Sequence, residues 1–422
     1  MKHRSPYKLT SVKGLCVESI VARRGGQACV AGVDVGKQEM AVCLYWPDRT
    51  FDRPWSVKAP RELRLVVEKL VQLKGSCPLV LAMESSGTYG DALRQAAGDA
   101  GIEVRRVSGK AVKDYSETFD GVPSQHDGKD AAVIAELCHL GKSWPWPWRA
   151  RSDEEEAMRY WVRRLDGLQR VKQVYCGRRE ALLARHWPEA DRVLKQSTAT
   201  LTRALQRWGS PAALASDPRA AEALRAMGGR WLGEAKVAAL LEAARASIGV
   251  RMNAWTIREV QDLAGRIVEL RKQIAACRRE LRRLTAGHVV IGAQAPAVGL
   301  TTACVLWVCV GDPRDYPSAA AYRKAMGLNL KEQSSGQHKG KLRLSKRGQR
   351  LCRKWLYFSA LRHVQHARVA CWVRAKKQRD GGAGLRAVIG VMRRLALAAW
   401  HVAKHGVAFD AARLFPGAAA PA

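Results

Sequence analysis

No two of the eleven cysteines fall in a C-x-x-C pair, and many, such as Cys29, Cys43, Cys304 and Cys309, lie in apolar segments. The odd count, scattered spacing and apolar surroundings argue for reduced, buried thiols rather than a disulfide framework, and they give a zinc site no support. Long apolar runs are missing as well. The longest, around Ala303–Val310, is far too short to span a bilayer. The N-terminus has basic residues but no unbroken apolar core of the signal-peptide kind. No Walker-type Gly-rich Lys-Ser/Thr loop is present, which speaks against a step driven by ATP. Acidic residues are few: 38 Asp and Glu stand against 72 Lys and Arg, a net charge of +34. Such an excess repels itself unless it meets a polyanion. With the membrane disfavoured, nucleic acid is the expected partner and the cytoplasm the expected compartment.

The 422 residues, 47% of them hydrophobic, suffice for two or three domains with real cores and argue against wholesale disorder. Residues 1–28 lack periodicity and read as a basic N-terminal arm. From Cys29 the texture changes. CVAGVDVG is apolar, Lys37-Gln38-Glu39 is polar and MAVCLYW is apolar again, which predicts two strands joined by a hairpin. Leu63, Val66, Val67, Leu70 and Leu73 recur at helical spacing after Pro60. PLVLAME then reads as a strand, Tyr89–Ala100 as a helix, IEVRRV as a strand and Asp127–Leu140 as a helix. This order predicts an α/β domain with a mixed sheet over residues 29–150. SWPWPWR at Ser143–Arg149 marks its boundary, because alternating prolines cannot occupy a helix interior. Its tryptophans could stack on bases, but packing of the domain edge is the favoured use.

A helical region is expected over 151–290, opened by the capping-box pattern Ser152-Asp-Glu-Glu155. Val260, Leu263, Ile267, Leu270, Ile274, Cys277, Leu281 and Leu284 follow one another at steps of 3, 4, 3, 4, 3, 4 and 3. That a/d seam predicts a coiled coil over about 256–285, between subunits or between two long helices of one chain. A homo-oligomer, dimer or tetramer, is the corresponding expectation. In APAVGLTTACVLWV, Gly299 sits where two helices could turn, with backbone N–H groups able to meet a phosphate. Residues 291–405 read as a helical, basic C-terminal domain, and 406–422 as a disordered tail.

Four acids stand out. Asp34 lies mid-strand in GVDVGK, where a charge is costly unless paired or bound to metal. Glu84 ends the apolar LVLAME, at the strand edge where α/β sheets place ligands. Asp127 and Asp130 are three apart on one helix and share a face. Singly, each has an ordinary explanation as a cap, a surface residue or a salt-bridge partner. Together they suit two hard divalent cations, Mg²⁺ or Mn²⁺, which can activate an attacking oxygen and stabilise a leaving one.

The stretch KEQSSGQHKGKLRLSKRGQR at Lys331–Arg350 raises a different question. Lys339, Lys341, Arg343, Lys346, Arg347, Arg350, Arg353 and Lys354 make eight basic residues with no acid among them, a surface for phosphates. Within it, Ser334-Ser335-Gly336 reads locally either as a turn in a phosphate-binding loop or as the carrier of a nucleophile. A free hydroxyl needs a base or metal to attack, and His338 is the only histidine close by.

The order of a strand Asp, a strand-end Glu and a helical D-x-x-D-A resembles the RNase H-like fold in its RuvC form. GVDVGK, MESSG, HDGKDA, PAVGLTTA, GLNLKEQSSG and SKRGQRLCRKWLY extend the likeness over most of Val30–Leu361. Their order and approximate spacing resemble the DEDD transposases of the insertion sequence "one-ten" family. The chain departs from that pattern at Gln125-His126, where the family usually has Lys-Thr, and at Leu330, where it usually has Pro. The resemblance implies a RuvC-like N-terminal domain, a central coiled coil and a C-terminal transposase domain with a serine nucleophile. By motif, the metal ligands would be Asp34, Glu84, Asp127 and Asp130, and the nucleophile Ser335, with Ser334 as the fallback. It also implies donor and target DNA as substrates, pairing through a guide RNA from the element, and a bacterial, nucleoid-associated enzyme. A metal-dependent junction endonuclease using water, and a non-catalytic nucleic-acid scaffold, remain the alternatives.

Overall fold

A strand buried on both faces needs apolar residues on each, and Cys29–Val35 has them at every position but one. The computed structural model describes residues 6–85, 87–124, 126–332, 334, 340 and 342–416. They divide into two compact units, Met1–Ala150 and Arg151–Ala422.

The first unit runs β1 (Thr10–Ser11), α1 (Val17–Arg24), β2 (Cys29–Val35), β3 (Glu39–Tyr45), β4 (Trp55–Lys58) and α2 (Leu63–Lys74). It continues with β5 (Leu79–Glu84), α3 (Asp91–Asp99), β6 (Glu103–Val107), α4 (Gly109–Asp120), α5 (Asp127–His139) and β7 (Ser143–Pro145). The strands form one mixed sheet in the order β1-β4-β3-β2-β5-β6-β7. β2 pairs antiparallel with β3 and parallel with β5, so the expected hairpin sits at the sheet centre. Alternation then sorts the side chains. Cys29, Ala31, Val33 and Val35 join Leu79, Leu81 and Met83 in one core, while Val30, Val80 and Ala82 meet α4 and α5 on the other face.

The arm expected over 1–28 is structured from Thr10 onward. β1 extends the sheet beside β4, and Val12, Val17 and Ile20 are buried in the main core. The tryptophan-proline segment lies at the end of the unit. β7 is a three-residue edge strand on β6, and the Arg94 guanidinium lies 4.2 Å from the Trp146 ring and 5.1 Å from that of Trp148.

The second unit is helical, apart from one short ribbon. It comprises α6 (Asp153–His186), α7 (Ala190–Val193), α8 (Ala199–Trp208), α9 (Pro211–Ser216), α10 (Ala220–Gly228), α11 (Glu234–Arg245) and α12 (Ala254–Leu284). Next come α13 (Val289–Val298), α14 (Leu300–Val310), α15 (Ala319–Ala325), β8 (Leu330–Lys331) and β9 (Arg343–Leu344). α16 (Arg350–His363), α17 (Ala367–Arg379), α18 (Gly384–His405) and α19 (Ala411–Leu414) complete it. The capping box at the head of α6 forms as read: the Ser152 hydroxyl accepts from Glu155 N–H, and the Glu155 carboxylate accepts from Ser152 N–H.

One open alternative is decided here, and two expectations change. The seam of α12 faces α6 and α8 of its own chain, with Val260, Leu263, Ile267, Ile274, Cys277 and Leu281 buried. Met158, Val162 and Leu165 at the head of α6 share a core with Ile274, Cys277 and Leu281, whereas Leu183 near its end shares one with Val260. The two long helices are therefore antiparallel partners, and the seam is already covered without a second subunit. The same packing removes the boundary expected at 290/291, since one core joins residues of α6 and α12 to those of α13–α18. The tail differs too. Phe415 is fully buried and packs edge-on against Trp372 at 5.4 Å, with Arg394 donating to the Leu414 carbonyl. Order thus persists past 406 to the last described residue, 416.

Candidate active site

The four acids are assembled by backbone geometry and small residues. Asp34 and Glu84 belong to neighbouring parallel strands, and the register that pairs Val33 with Met83 sets them side by side. Both alternate away from the main core and point to the face that α5 covers. Gly32 decides how closely that helix approaches. A Cβ there would lie 2.1 Å from the Ala131 carbonyl oxygen and 2.8 Å from the Ala135 Cβ, so only glycine lets α5 lie on β2. Ala41, Cys43, Ala131 and Ala132 keep the same seam thin. The first turn of α5, with Asp127 and Asp130, is thereby carried over Asp34.

The electrostatics report this convergence. Burial, then repulsion from Glu84, Asp130 and Asp127, raises the Asp34 carboxyl from its ordinary value to about 7. Burial, then Asp127 and Glu84, raises Asp130 as well. Asp34, Glu84 and Asp130 are half-buried, whereas Asp127 is exposed. Two further residues shape the site without announcing themselves in the sequence. Gly109 opens α4 against the Glu84 carboxylate, where a Cβ would come within 2.8 Å of Oε2. The positive end of that helix faces the acid. Lys129, between the two helical acids, is fully buried and turned away from them. Its Nζ donates to Asp120 Oδ1 and to the Val122 carbonyl, both at 2.6 Å. A glycine inside an apolar strand is a legible sign of close backbone approach; the direction of Lys129 has no sequence signal.

As placed, no three His, Cys, Asp or Glu side chains among the described residues are grouped closely enough to hold a metal ion. The four acids act on one another's charge without being gathered into a ligand set. Their chemistry, oxygen donors of one charge sign with partial access, is nonetheless the kind a hard divalent cation takes.

The basic segment is less tidy. Ser335, Gly336, His338, Lys339 and Lys341 lie outside the described residues. Ser334 is exposed; its hydroxyl donates to Glu332 Oε1 at 2.7 Å and accepts from Gly340 N–H at 3.0 Å. Glu332, a base within reach of that hydroxyl, was not among the expected residues. β8 and β9 pair antiparallel on either side of the stretch. Arg343, Lys346, Arg347 and Arg350 are exposed, as a phosphate surface requires. Two of the expected phosphate contacts are otherwise engaged. Arg353 donates to the Met326 and Gly348 carbonyls at 3.1 and 3.0 Å, and Lys354 is paired with Asp166 Oδ1 at 2.5 Å. Gly299 does turn between α13 and α14, at φ 84°, but its N–H is bonded to the Ala295 carbonyl rather than open to a ligand.

A mixed sheet with acids on two adjoining strands and on the helix packed over them is consistent with an RNase H-like DEDD domain. Comparison with known proteins carries this further. Residues 31–188 match the DEDD transposase model of IS110 type, described as a transposase, and residues 293–377 match that of the "Transposase IS116/IS110/IS902 family". A relative from Streptomyces coelicolor, the "Insertion element IS110 uncharacterized 43.6 kDa protein", is 27% identical over 314 residues, 72% of this chain and 76% of its own length. The chain belongs to the IS110 family of transposases.

Proposed function

We propose that this transposase moves its insertion sequence by breaking and rejoining DNA through a phosphoserine intermediate. The single observation that carries the chemistry is the placement of Asp34 and Glu84 side by side on neighbouring strands, beneath the helix turn that bears Asp127 and Asp130. Those four would hold the divalent cations, Mg²⁺ or Mn²⁺, which when bound supply positive charge to a phosphodiester. The Ser335 hydroxyl attacks phosphorus: a Ser Oγ–P bond forms, a P–O bond to deoxyribose breaks, the hydroxyl proton passes to a base and the leaving oxygen gains one. Because the link keeps the diester energy, the DNA rejoins by the reverse attack with no nucleotide consumed. Exposed Arg343, Lys346, Arg347 and Arg350 bind the backbone phosphates of the same strand. Guidance by an RNA from the element, self-association of the protein and residence at the nucleoid belong to this reading and rest on the family resemblance.

The test is a denaturing gel of protein, labelled element-end DNA, the flanking noncoding RNA and Mg²⁺. A covalent protein–DNA band is expected, lost in Ser335→Ala and in Asp34→Ala. A band that persists in Ser335→Ala moves the nucleophile elsewhere, with Ser334 next to be changed. Strand cleavage without a band, surviving Ser335→Ala but not Asp34→Ala, identifies instead a nuclease that uses water.

A further inference from the structure

The second unit carries a groove of about 1140 Å³ whose walls are α6, α12 and α16. Its one acid is spoken for: Asp166 is held by Lys354 at 2.5 Å and by Arg170 at 3.2 Å. Arg163 and Lys172 of α6, Arg278 of α12 and Arg350 of α16 also line it, and none of these has a hydrogen-bond or ion-pair partner among the described residues. Arg362, which also lines the groove, donates from Nη2 to the Val298 carbonyl at 3.1 Å. Burial and then the nearby Arg278 lower its proton affinity. Cations gathered this way repel one another and are relieved by an anion.

An aromatic ring interrupts the cations. Phe358 is 43% exposed, and the buried Trp355 ring braces it edge-on at 6.1 Å and 77°. Arg350, Lys354, Phe358 and Arg362 recur at every fourth residue of α16, so they form one stripe. At 1.5 Å per residue the stripe is about 18 Å long, room for a few nucleotides. A rigid, exposed ring among phosphate-binding cations is the arrangement that holds an unpaired base, because a ring cannot stack on a base still inside a duplex.

We propose that this groove binds a single strand of nucleic acid, with phosphates on Arg163, Arg278 and Arg350 and a base on Phe358. The inference rests on the nucleic-acid reading above but not on the carboxylate chemistry. The test titrates full-length protein, in chelator and at several salt concentrations, into fluorescent oligothymidine, oligouridine and duplex DNA. The combined Arg278→Gln and Arg350→Gln change is expected to weaken single-strand binding at least tenfold. It is also expected to flatten the logarithmic salt slope by about 1.4, at about 0.7 per lost phosphate contact. Phe358→Ala is expected to cost about tenfold on single strands and nothing on duplex, and Phe358→Tyr, which keeps the ring, to bind as the native protein does. Tighter binding of either homopolymer than of duplex supports the proposal. Groove variants that behave like Arg245→Gln on α11 overturn it, as does an equal loss on duplex and single strand from Phe358→Ala. Chelator prevents cleavage, so failure here leaves the carboxylate reading standing, and loss of cleavage in Asp34→Ala leaves this titration unmoved.

Discussion

Asp34 is an acid whose folded environment opposes its charge, and the consequence for stability has a definite sign. Its folded pKa is about 7 against an ordinary 3.8, so the folded state keeps a proton that the unfolded state releases. Its contribution is therefore neutral below about pH 4, and stability is lost as pH rises toward 7. In metal-free protein, Asp34→Asn is expected to raise stability at pH 8 by about 1 kcal/mol after allowance for solvent screening, a few degrees in Tm. Little change is expected at pH 4, and thermal melts at the two pH values decide it. A gain over the native protein no larger at pH 8 than at pH 4 would mean that neither burial nor the three other acids press on Asp34. Gly32 yields the complementary prediction. Gly32→Ala drives a methyl into the Ala131 carbonyl, so a loss of about 1–3 kcal/mol in urea unfolding is expected, together with loss of the proposed covalent protein–DNA band as α5 is pushed off the sheet. A variant that loses stability but keeps full activity would show that α5 need not sit this close.

At the level of elements, the chain shows what a hydrophobic pattern can and cannot say. β2 and β3 were legible because apolar runs flanked a polar turn, and α12 because its seam never breaks step. The seam announced a partner without naming it, since a/d burial looks alike whether the partner is another subunit or α6 of the same chain. Ile267 is wholly buried there, so Ile267→Ala is expected to cost about 2–5 kcal/mol and leave the oligomeric state untouched. Light scattering that shows dissociation on this change would return the seam to the subunit interface. β1 went unread because two residues are too few for alternation to register. α4 went unread because Val112 and Ser116 are its only buried positions, and a stripe that sparse gives little periodic signal. Phe415 was missed for a similar reason: one aromatic anchor in a Gly- and Ala-rich tail has no period at all. Of the site, the acids and their order were readable, whereas Gly109, Lys129 and Glu332 act through directions that only three dimensions reveal.

For the whole molecule, the division at 150/151 separates the acids from the basic groove. Each unit has its own apolar core, the first built on the sheet and the second on α6, α12 and α18. A fragment of residues 1–150 is accordingly expected to unfold cooperatively in urea by itself, with a circular dichroism spectrum of mixed helix and strand. A non-cooperative loss of signal would mean that the sheet depends on the rest of the chain. The arithmetic of charge also follows the division: most of the excess cations lie in the helical unit, whereas the first unit gathers Asp34, Glu84, Asp127 and Asp130 on one face of its sheet.

All eleven cysteines are unpaired, seven of them are buried, and Cys16 at the head of α1 is the one classed as exposed. Burial holds Cys29 well above the ordinary thiol range, to about 12, and Cys304 likewise, so neither offers much thiolate near neutrality. A brief maleimide treatment of the native chain should therefore label Cys16 ahead of the seven buried thiols. The protein comes supplied with an attachment point for watching single molecules at work, without an engineered residue.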